Sequence, residues 1–173
     1  MVKIIHKHLR KAKDQFLIHG DSKLKLNGYT DASFASDKDD SKSIFGCLFT
    51  LIGGAISWKS SKQATIADSS TEAKYIAVSE AAKEAIWMKR FISKLGVVPS
   101  IRELVPMCEN NGAVAQAKEP RSHQKSKHIL RRYHLIREIL ENGYIKIEKV
   151  EGKENVVDPF TKALGIKEFD KHK

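Results

Sequence analysis

Residues 44–58 read IFGCLFTLIGGAISW, and this stretch has the pattern of a β-hairpin. The run 44–52 is apolar and rich in β-forming side chains, and the run 55–58 resumes the same character after Gly53-Gly54. A glycine pair between two such runs is typical of a tight turn. We therefore predict two antiparallel strands, with Trp58 in the hydrophobic core.

The segments around the hairpin extend it into a mixed sheet. Leu24, Leu26 and Thr30 alternate with polar residues, which predicts a strand ending at Asp31, and the acidic stretch 36–41 then forms a loop. Small and apolar side chains from 69 to 95 lie on one helical stripe, which Gly96 ends. The later segments are a strand (104–109), two helices (110–117 and 129–140), a strand (144–150) and a helix (156–164). This order predicts an α/β fold, a five-stranded mixed sheet with helices packed against it.

Composition narrows the class of protein. The chain has 173 residues, with 31 Lys and Arg against 21 Asp and Glu, and 41% of its residues are hydrophobic. These values fit one globular domain and exclude a disordered chain or a disulfide scaffold.

No apolar run approaches the roughly 18 residues of a membrane span, so we expect no membrane partner. Two cysteines favour a reducing compartment, and we expect an intracellular chain, cytoplasmic or nuclear. The net charge of +10 favours a polyanionic partner such as nucleic acid.

Carboxylates stand at the ends of four predicted elements. Asp31 ends the first strand, Glu72 lies in the first turn of the long helix, Glu109 ends the fourth strand, and Asp158 opens the last helix. Carboxylates that converge repel one another unless cations balance them, and hard oxygen ligands suit Mg²⁺ or Mn²⁺. Two such ions about 4 Å apart are a common device for phosphodiester hydrolysis.

Each acid also has a purely structural interpretation, which spacing alone leaves open. Asp31 fits an Asx turn, and Glu109 fits a polar strand exit. Glu72 completes a capping box in which Ser69 is the N-cap and Glu72 reaches back to the Ser69 N–H. Asp158 fits an N-cap followed by proline at the first helical position.

At these same residues the chain closely resembles the ribonuclease H domain of copia-type LTR retrotransposon polyproteins, particularly plant ones. The resemblance spans about residues 24–164, and residues 1–20 resemble the tail that links reverse transcriptase to this domain. The segments that carry it are Gly28-Tyr29-Thr30-Asp31-Ala32 with the loop 37–43, and then 55–75, 108–129 and 155–162.

The resemblance implies a ribonuclease H-like fold, with three antiparallel strands followed by parallel strands and with the first and fourth strands adjacent. It also implies a metal-dependent endoribonuclease that hydrolyses the RNA strand of RNA/DNA hybrids. Mg²⁺ is the implied cofactor, with Mn²⁺ as a substitute, and the reverse transcriptase of the same polyprotein is an implied partner. The implied catalytic and metal-binding residues are Asp31, Glu72, Glu109 and Asp158. No oligomer is implied.

Two departures from the family pattern concern catalysis. The family usually has aspartate where this chain has Glu109, and one extra methylene moves the carboxylate. A displacement of about 1 Å can cost on the order of 100-fold in rate. In addition, the loop 151–155 lacks the histidine that cellular and retroviral ribonucleases H carry before the last acid. Copia-type domains generally lack it too, so its absence does not argue against activity. The change at Glu109 leaves as the alternative function a catalytically weakened or inactive nucleic-acid-binding domain of a domesticated element fragment, and a third is a structural role in a reverse transcriptase.

Basic residues supply candidate contacts to the hybrid, whose phosphates should dominate affinity. The densest basic segment follows the Glu109 block, and a second group lies beside Trp58. A solvated basic surface is the alternative for both groups. The candidate nucleic-acid-binding residues are Lys59, Lys62, Asn110, Arg121, Lys125, Lys127, His128 and Arg131.

The predicted organisation has three parts. Residues 1–22 form a helical lead-in, residues 23–165 form the ribonuclease H domain, and residues 166–173 form a C-terminal tail.

Overall fold

The computed structural model describes residues 2–20, 25–37, 39–96, 104–108, 113–114, 127–151 and 154–169. Its helices are α1 (Val2–Lys11), α2 (Ser70–Lys94), α3 (Lys127–Glu141), α4 (Asp158–Thr161) and α5 (Ile166–Phe169). Its strands are β1 (Leu26–Ser33), β2 (Ile44–Leu51), β3 (Gly54–Lys62), β4 (Leu104–Cys108) and β5 (Glu148–Lys149). Among the described helices, none has the length and apolar character needed to cross a membrane.

The strands form one five-stranded sheet in the order β3-β2-β1-β4-β5. β1, β2 and β3 pair antiparallel, whereas β1 pairs with β4, and β4 with β5, in parallel. The implied adjacency of the first and fourth strands is therefore confirmed. Thr30 pairs with Cys108, so β1 and β4 run side by side up to the residue before Glu109, which itself lies outside the described residues.

The β2–β3 hairpin is confirmed, but its second strand is longer than predicted. The turn lies one residue earlier than the predicted Gly53-Gly54, because Gly54 pairs with Leu51 and opens β3. Ile52 and Gly53 both have positive φ (53° and 77°), as the two central residues of a tight hairpin turn of this hand require. Trp58 is 55% exposed, so the prediction that it belongs to the core is wrong. The Trp58 side chain is exposed because β3 is the outermost strand of the sheet and only β2 lies beside it.

The core lies between the sheet and α2. The alanine stripe predicted for this helix is confirmed, because Ala73, Ala77, Ala81 and Ala85 are all buried. Their small side chains let the helix axis approach the strands closely, and Phe49 fills the space on the sheet side. The same burial raises the pKa of the Cys47 thiol to about 11, with a smaller contribution from the charge of Glu84.

Several element ends differ from the predictions because strand length depends on the neighbouring strand. β1 continues to Ser33, which pairs with Ile44, so Asp31 lies inside the strand instead of ending it. The strand predicted over 144–150 is reduced to Glu148–Lys149, which pair only with the end of β4. The helix predicted over 156–164 covers only residues 158–161. Of the helix predicted over 110–117, only 113–114 lie within the described residues.

The N-terminal segment contacts the sheet at the β2–β3 turn. α1 has no buried residue, and it is shorter than the helical lead-in predicted over 1–22. Further along, the Gly20 N–H donates to the Ile52 carbonyl at 3.1 Å, and the His19 Nδ1 lies 3.2 Å from the Leu51 carbonyl. A Cβ on Gly54 would lie 2.2 Å from the His19 ring, so any other residue there would displace this ring from the hairpin turn.

Candidate active site

Asp31 is a buried carboxylate that contacts two other elements. It is only 4% exposed, and β1 pairs it with Gly46 of β2. The Thr161 hydroxyl of α4 donates to Asp31 Oδ2 at 3.1 Å. Lys74 Nζ of α2 lies 3.2 Å from Asp31 Oδ1 and forms an ion pair with it. The angles of this contact are not those of a hydrogen bond. Asp31 is thus the point at which α2 and α4 meet β1.

Glu72 lies in the first turn of α2 and is 2% exposed. Ser69 is the N-cap as predicted, because its hydroxyl accepts from the Glu72 N–H at 3.2 Å. The second half of the predicted capping box is wrong: Glu72 Oε2 accepts from the Asp68 N–H at 2.9 Å, one residue before Ser69. Glu72 Oε1 is buried and accepts no hydrogen bond within the described structure.

Asp158 is the first residue of α4 and not its N-cap, which is Val157. No side chain caps this short helix, so the predicted capping role of Asp158 is wrong. Lys162 Nζ lies 2.7 Å from Asp158 Oδ2, at the i,i+4 spacing. Asp158 Oδ1 is buried and, among the described atoms, has no hydrogen-bond partner.

Polar contacts fix α4 against the face of the sheet that carries Asp31. The Asn155 amide donates to the Thr30 carbonyl at 3.4 Å, and its Oδ1 accepts from the Val157 N–H at 3.3 Å. The Ser60 hydroxyl donates to the Phe160 carbonyl at 2.6 Å. Gly46 leaves the space that α4 occupies, since a Cβ there would lie 2.7 Å from Thr161 Cγ2. A helix too short to be stable alone is positioned by these contacts.

The oxygens left without hydrogen bonds fit a cation site in their chemistry. Asp31 Oδ1, Glu72 Oε1 and Asp158 Oδ1 are buried carboxylate oxygens from three different elements, and none accepts a hydrogen bond within the described residues. Burying such oxygens is costly unless a cation balances them, and Mg²⁺ prefers carboxylate ligands. Two lysines provide part of that balance at Asp31 and Asp158. Within the described ranges, which exclude Glu109, no three acid, histidine or cysteine side chains already form a group able to hold a metal ion.

The described basic candidates lie on two surfaces. Lys59 and Lys62 are exposed on β3, and Arg131 is exposed on α3. Lys62 forms an ion pair with Asp37 and lies 3.8 Å from Asp40. The backbones of Lys127 and His128 belong to the first turn of α3. The remaining candidates, Asn110, Arg121 and Lys125, fall outside the described residues.

Some basic residues on these two surfaces form ion pairs within the protein. The hydrogen bond from Lys62 holds the pKa of the Asp37 carboxyl below its usual range, and Asp37 raises the pKa of Lys62. Both groups are therefore charged throughout the neutral range. Arg132 donates to Glu80 and to the Ser79 hydroxyl, which packs α3 against α2. Although burial acts to raise the pKa of Glu80, Lys83 and Arg132 together hold it below its usual value.

Comparison with known proteins adds the family context. No protein-family model matches the chain. It is 43% identical over 169 residues to the retrovirus-related Pol polyprotein from transposon TNT 1-94 of Nicotiana tabacum, a match that covers 98% of the chain and 13% of the polyprotein. It is 36% identical to the corresponding polyprotein from transposon RE1 of Arabidopsis thaliana, over 89% of the chain and 10% of the polyprotein.

Solved structures share the fold. LC11-RNase H1, crystallised in complex with an RNA/DNA hybrid, superposes with a TM-score of 0.57 at 17% identity, covering 79% of this chain and 94% of that one. RNase H1 from Halobacterium salinarum has a TM-score of 0.55 at 14% identity, covering 79% and 94%.

The chain has a ribonuclease H fold, and its sequence is similar to plant retrotransposon Pol polyproteins. Both the fold class and the resemblance stated from the sequence are therefore confirmed. The chain spans only about a tenth of the length of the polyproteins that it matches.

Sequence reasoning assigned no role to three residues at this site of the ribonuclease H domain. Thr161 and Lys162 follow Asp158 by three and four residues, so helical spacing was an available signal for them. Lys74 follows Glu72 by two residues, a spacing that places side chains on different sides of a helix. Only the approach of α2 to β1 brings Lys74 to Asp31.

Proposed function

We propose that this chain is a metal-dependent endonuclease that hydrolyses the RNA strand of RNA/DNA hybrids. The observation that carries the proposal is the set of buried carboxylate oxygens without hydrogen bonds, which come from three elements that meet beside Asp31. The ribonuclease H fold and the similarity to Pol polyproteins support a nuclease of this type.

The proposed ligands are Asp31, Glu72, Glu109 and Asp158. When bound between them, Mg²⁺ or Mn²⁺ would activate the attacking water and stabilise charge on the phosphate. The protein's own contribution is to hold the acids rigidly: the Thr161 hydroxyl orients Asp31, and the Asp68 N–H orients Glu72. Lys162 balances Asp158 at the entrance of α4. Water is restricted at these groups because Asp31 and Glu72 are almost fully buried.

The direct test is cleavage of a labelled RNA/DNA hybrid with Mg²⁺, Mn²⁺ or EDTA. We expect the RNA strand to be cut only in the hybrid and only with a divalent cation. Single-stranded and duplex RNA serve as controls. Cutting of either control at the same rate, or cutting in EDTA, would refute the proposed activity.

The cleavage assay, run beside a measurement of hybrid binding, separates this proposal from the second function. That function is a binding domain without activity, and the glutamate at position 109 favours it. Binding of the hybrid with no cleavage in either metal would support the second function. Failure to bind any nucleic acid at low salt would remove both.

We expect Glu109→Asp to raise the cleavage rate, by about tenfold and up to about 100-fold if the extra methylene misplaces the carboxylate by roughly 1 Å. Single-turnover cleavage of the hybrid measures this directly. Glu72→Asp is the matched control, because it makes the same chemical change at a position where glutamate is expected, and it should lower the rate. An unchanged or lower rate for Glu109→Asp would exclude the methylene as a handicap.

We propose that Lys62 contacts the hybrid when its ion pair with Asp37 opens. Asp37→Asn should then tighten binding of a hybrid by about two- to fivefold at low salt, measured by fluorescence anisotropy. Asp39→Asn removes the same charge from the same loop but leaves the Lys62–Asp37 ion pair in place. Equal tightening in the two variants would mean that only net charge matters.

We also propose that residues 23–165 form the catalytic unit, and that residues 1–22 connect it to the reverse transcriptase of a polyprotein. The support is that α1 buries no side chain against the described parts of the domain. The transposon TNT 1-94 and RE1 relatives are polyproteins, of which this chain matches only a small part.

A further inference from the structure

Lys74 occupies the position at Asp31 where a cation is expected. Its Nζ lies 3.2 Å from Asp31 Oδ1, the oxygen to which Thr161 does not donate. The Lys74 side chain is only 18% exposed, so its ammonium reaches Asp31 from within the fold. A buried carboxylate needs a positive partner, and here a lysine from the first turns of α2 supplies it.

This position makes Lys74 a competitor for any divalent cation. The oxygen that Lys74 pairs with, Asp31 Oδ1, is itself one of the proposed ligand atoms. A cation that binds Asp31 Oδ1 must share this oxygen with the ammonium or displace it. Two positive groups cannot occupy one oxygen closely without strong repulsion.

We propose that Lys74 is a built-in counterion that neutralises Asp31 while the site is metal-free and is displaced when a divalent cation binds. Lys74 is thus a positioning residue that keeps the acids folded together and sets the affinity of the site for the cation. The inference rests on the proposed metal-dependent function, since it names what the cation must replace.

The two roles of Lys74 predict changes of opposite sign in Lys74→Met. Without metal, the variant should melt at a lower temperature, because Asp31 loses its counterion. With Mn²⁺, it should bind the ion more tightly, with a Kd about five- to tenfold lower by calorimetry, because no ammonium has to leave. A merely structural lysine would lower the melting temperature and leave the Kd unchanged or higher.

The control variant is Lys83→Met, which removes one positive charge from the same helix but from an exposed pair with Glu80. Its Mn²⁺ affinity should equal that of the parent chain. Equal Kd values for the parent and Lys74→Met, or equal tightening in Lys83→Met, would overturn the counterion inference alone. No binding of Mn²⁺ to the parent chain would overturn the proposed metal-dependent function as well.

A measurement on the parent chain covers the case in which Lys74→Met does not fold. The ammonium signal of Lys74 in an NMR spectrum of lysine side chains can be assigned by its loss in Lys74→Arg. Saturation with Mg²⁺ should move this signal to the position of a solvated lysine. A signal unchanged at saturation would show that the ion binds without displacing Lys74 and would refute the proposal.

Discussion

Asp31→Asn is expected to abolish cleavage of the RNA/DNA hybrid, with a loss of at least about 100-fold, because metal-assisted hydrolysis draws several kcal/mol of transition-state stabilisation from the ions that this acid would hold. The asparagine keeps the shape of the side chain. Its oxygen can still accept from the Thr161 hydroxyl, as Asp31 does at 3.1 Å. Single-turnover cleavage with Mg²⁺ and with Mn²⁺ measures the loss.

Folding of Asp31→Asn has to be shown separately, because the change leaves Lys74 beside a neutral group. A melting curve and a far-UV circular dichroism spectrum close to those of the parent provide this control. Asp39→Asn makes the same change in an exposed loop and should cleave at the parental rate. If folded Asp31→Asn cleaved as fast as the parent, the site assignment would be wrong.

Gly46→Ala should damage both the stability of the fold and the candidate active site. A Cβ at this position would lie 2.7 Å from Thr161 Cγ2 and 2.8 Å from Val157 Cγ1, closer than carbon atoms approach. Forcing atoms into a packed interior usually costs about 1–3 kcal/mol. Relief of the clash requires α4 to move away from the sheet, and α4 carries Asp158.

The expected result for Gly46→Ala is therefore a double loss. The melting temperature should fall by about 2–4 °C for each kcal/mol in a chain of this length. Cleavage should fall by as much as about 100-fold if Asp158 moves by roughly 1 Å. Gly20→Ala is the matched control, because nothing lies within 4 Å of a Cβ there. A Gly46→Ala variant with parental stability and activity would contradict the close packing of α4 on β2.

The main helices and strands were largely predictable because the sequence patterns that mark them are local. The alanine stripe of α2 and the Ser69 cap each act over a few residues, and the structure has both. The glycine pair marked the hairpin correctly, but the turn is centred one residue earlier, on Ile52 and Gly53. Element ends were less predictable, since β5 extends only as far as its pairing with β4. Trp58 was wrongly assigned to the core because an apolar residue in a strand is buried only if another layer covers it.

The sequence by itself determined the α/β order, the basic charge and the positions of the four acids, because these depend on residue types and their spacing. The resemblance then implied a shared catalytic and metal-binding role for the four acids, which their spacing alone had left open. Only the tertiary structure decided that Lys74 meets Asp31, and that Thr161 of α4 joins it across 130 positions of sequence. Such contacts depend on how helices pack on a sheet, and the close approach at Gly46 sets the packing of α4.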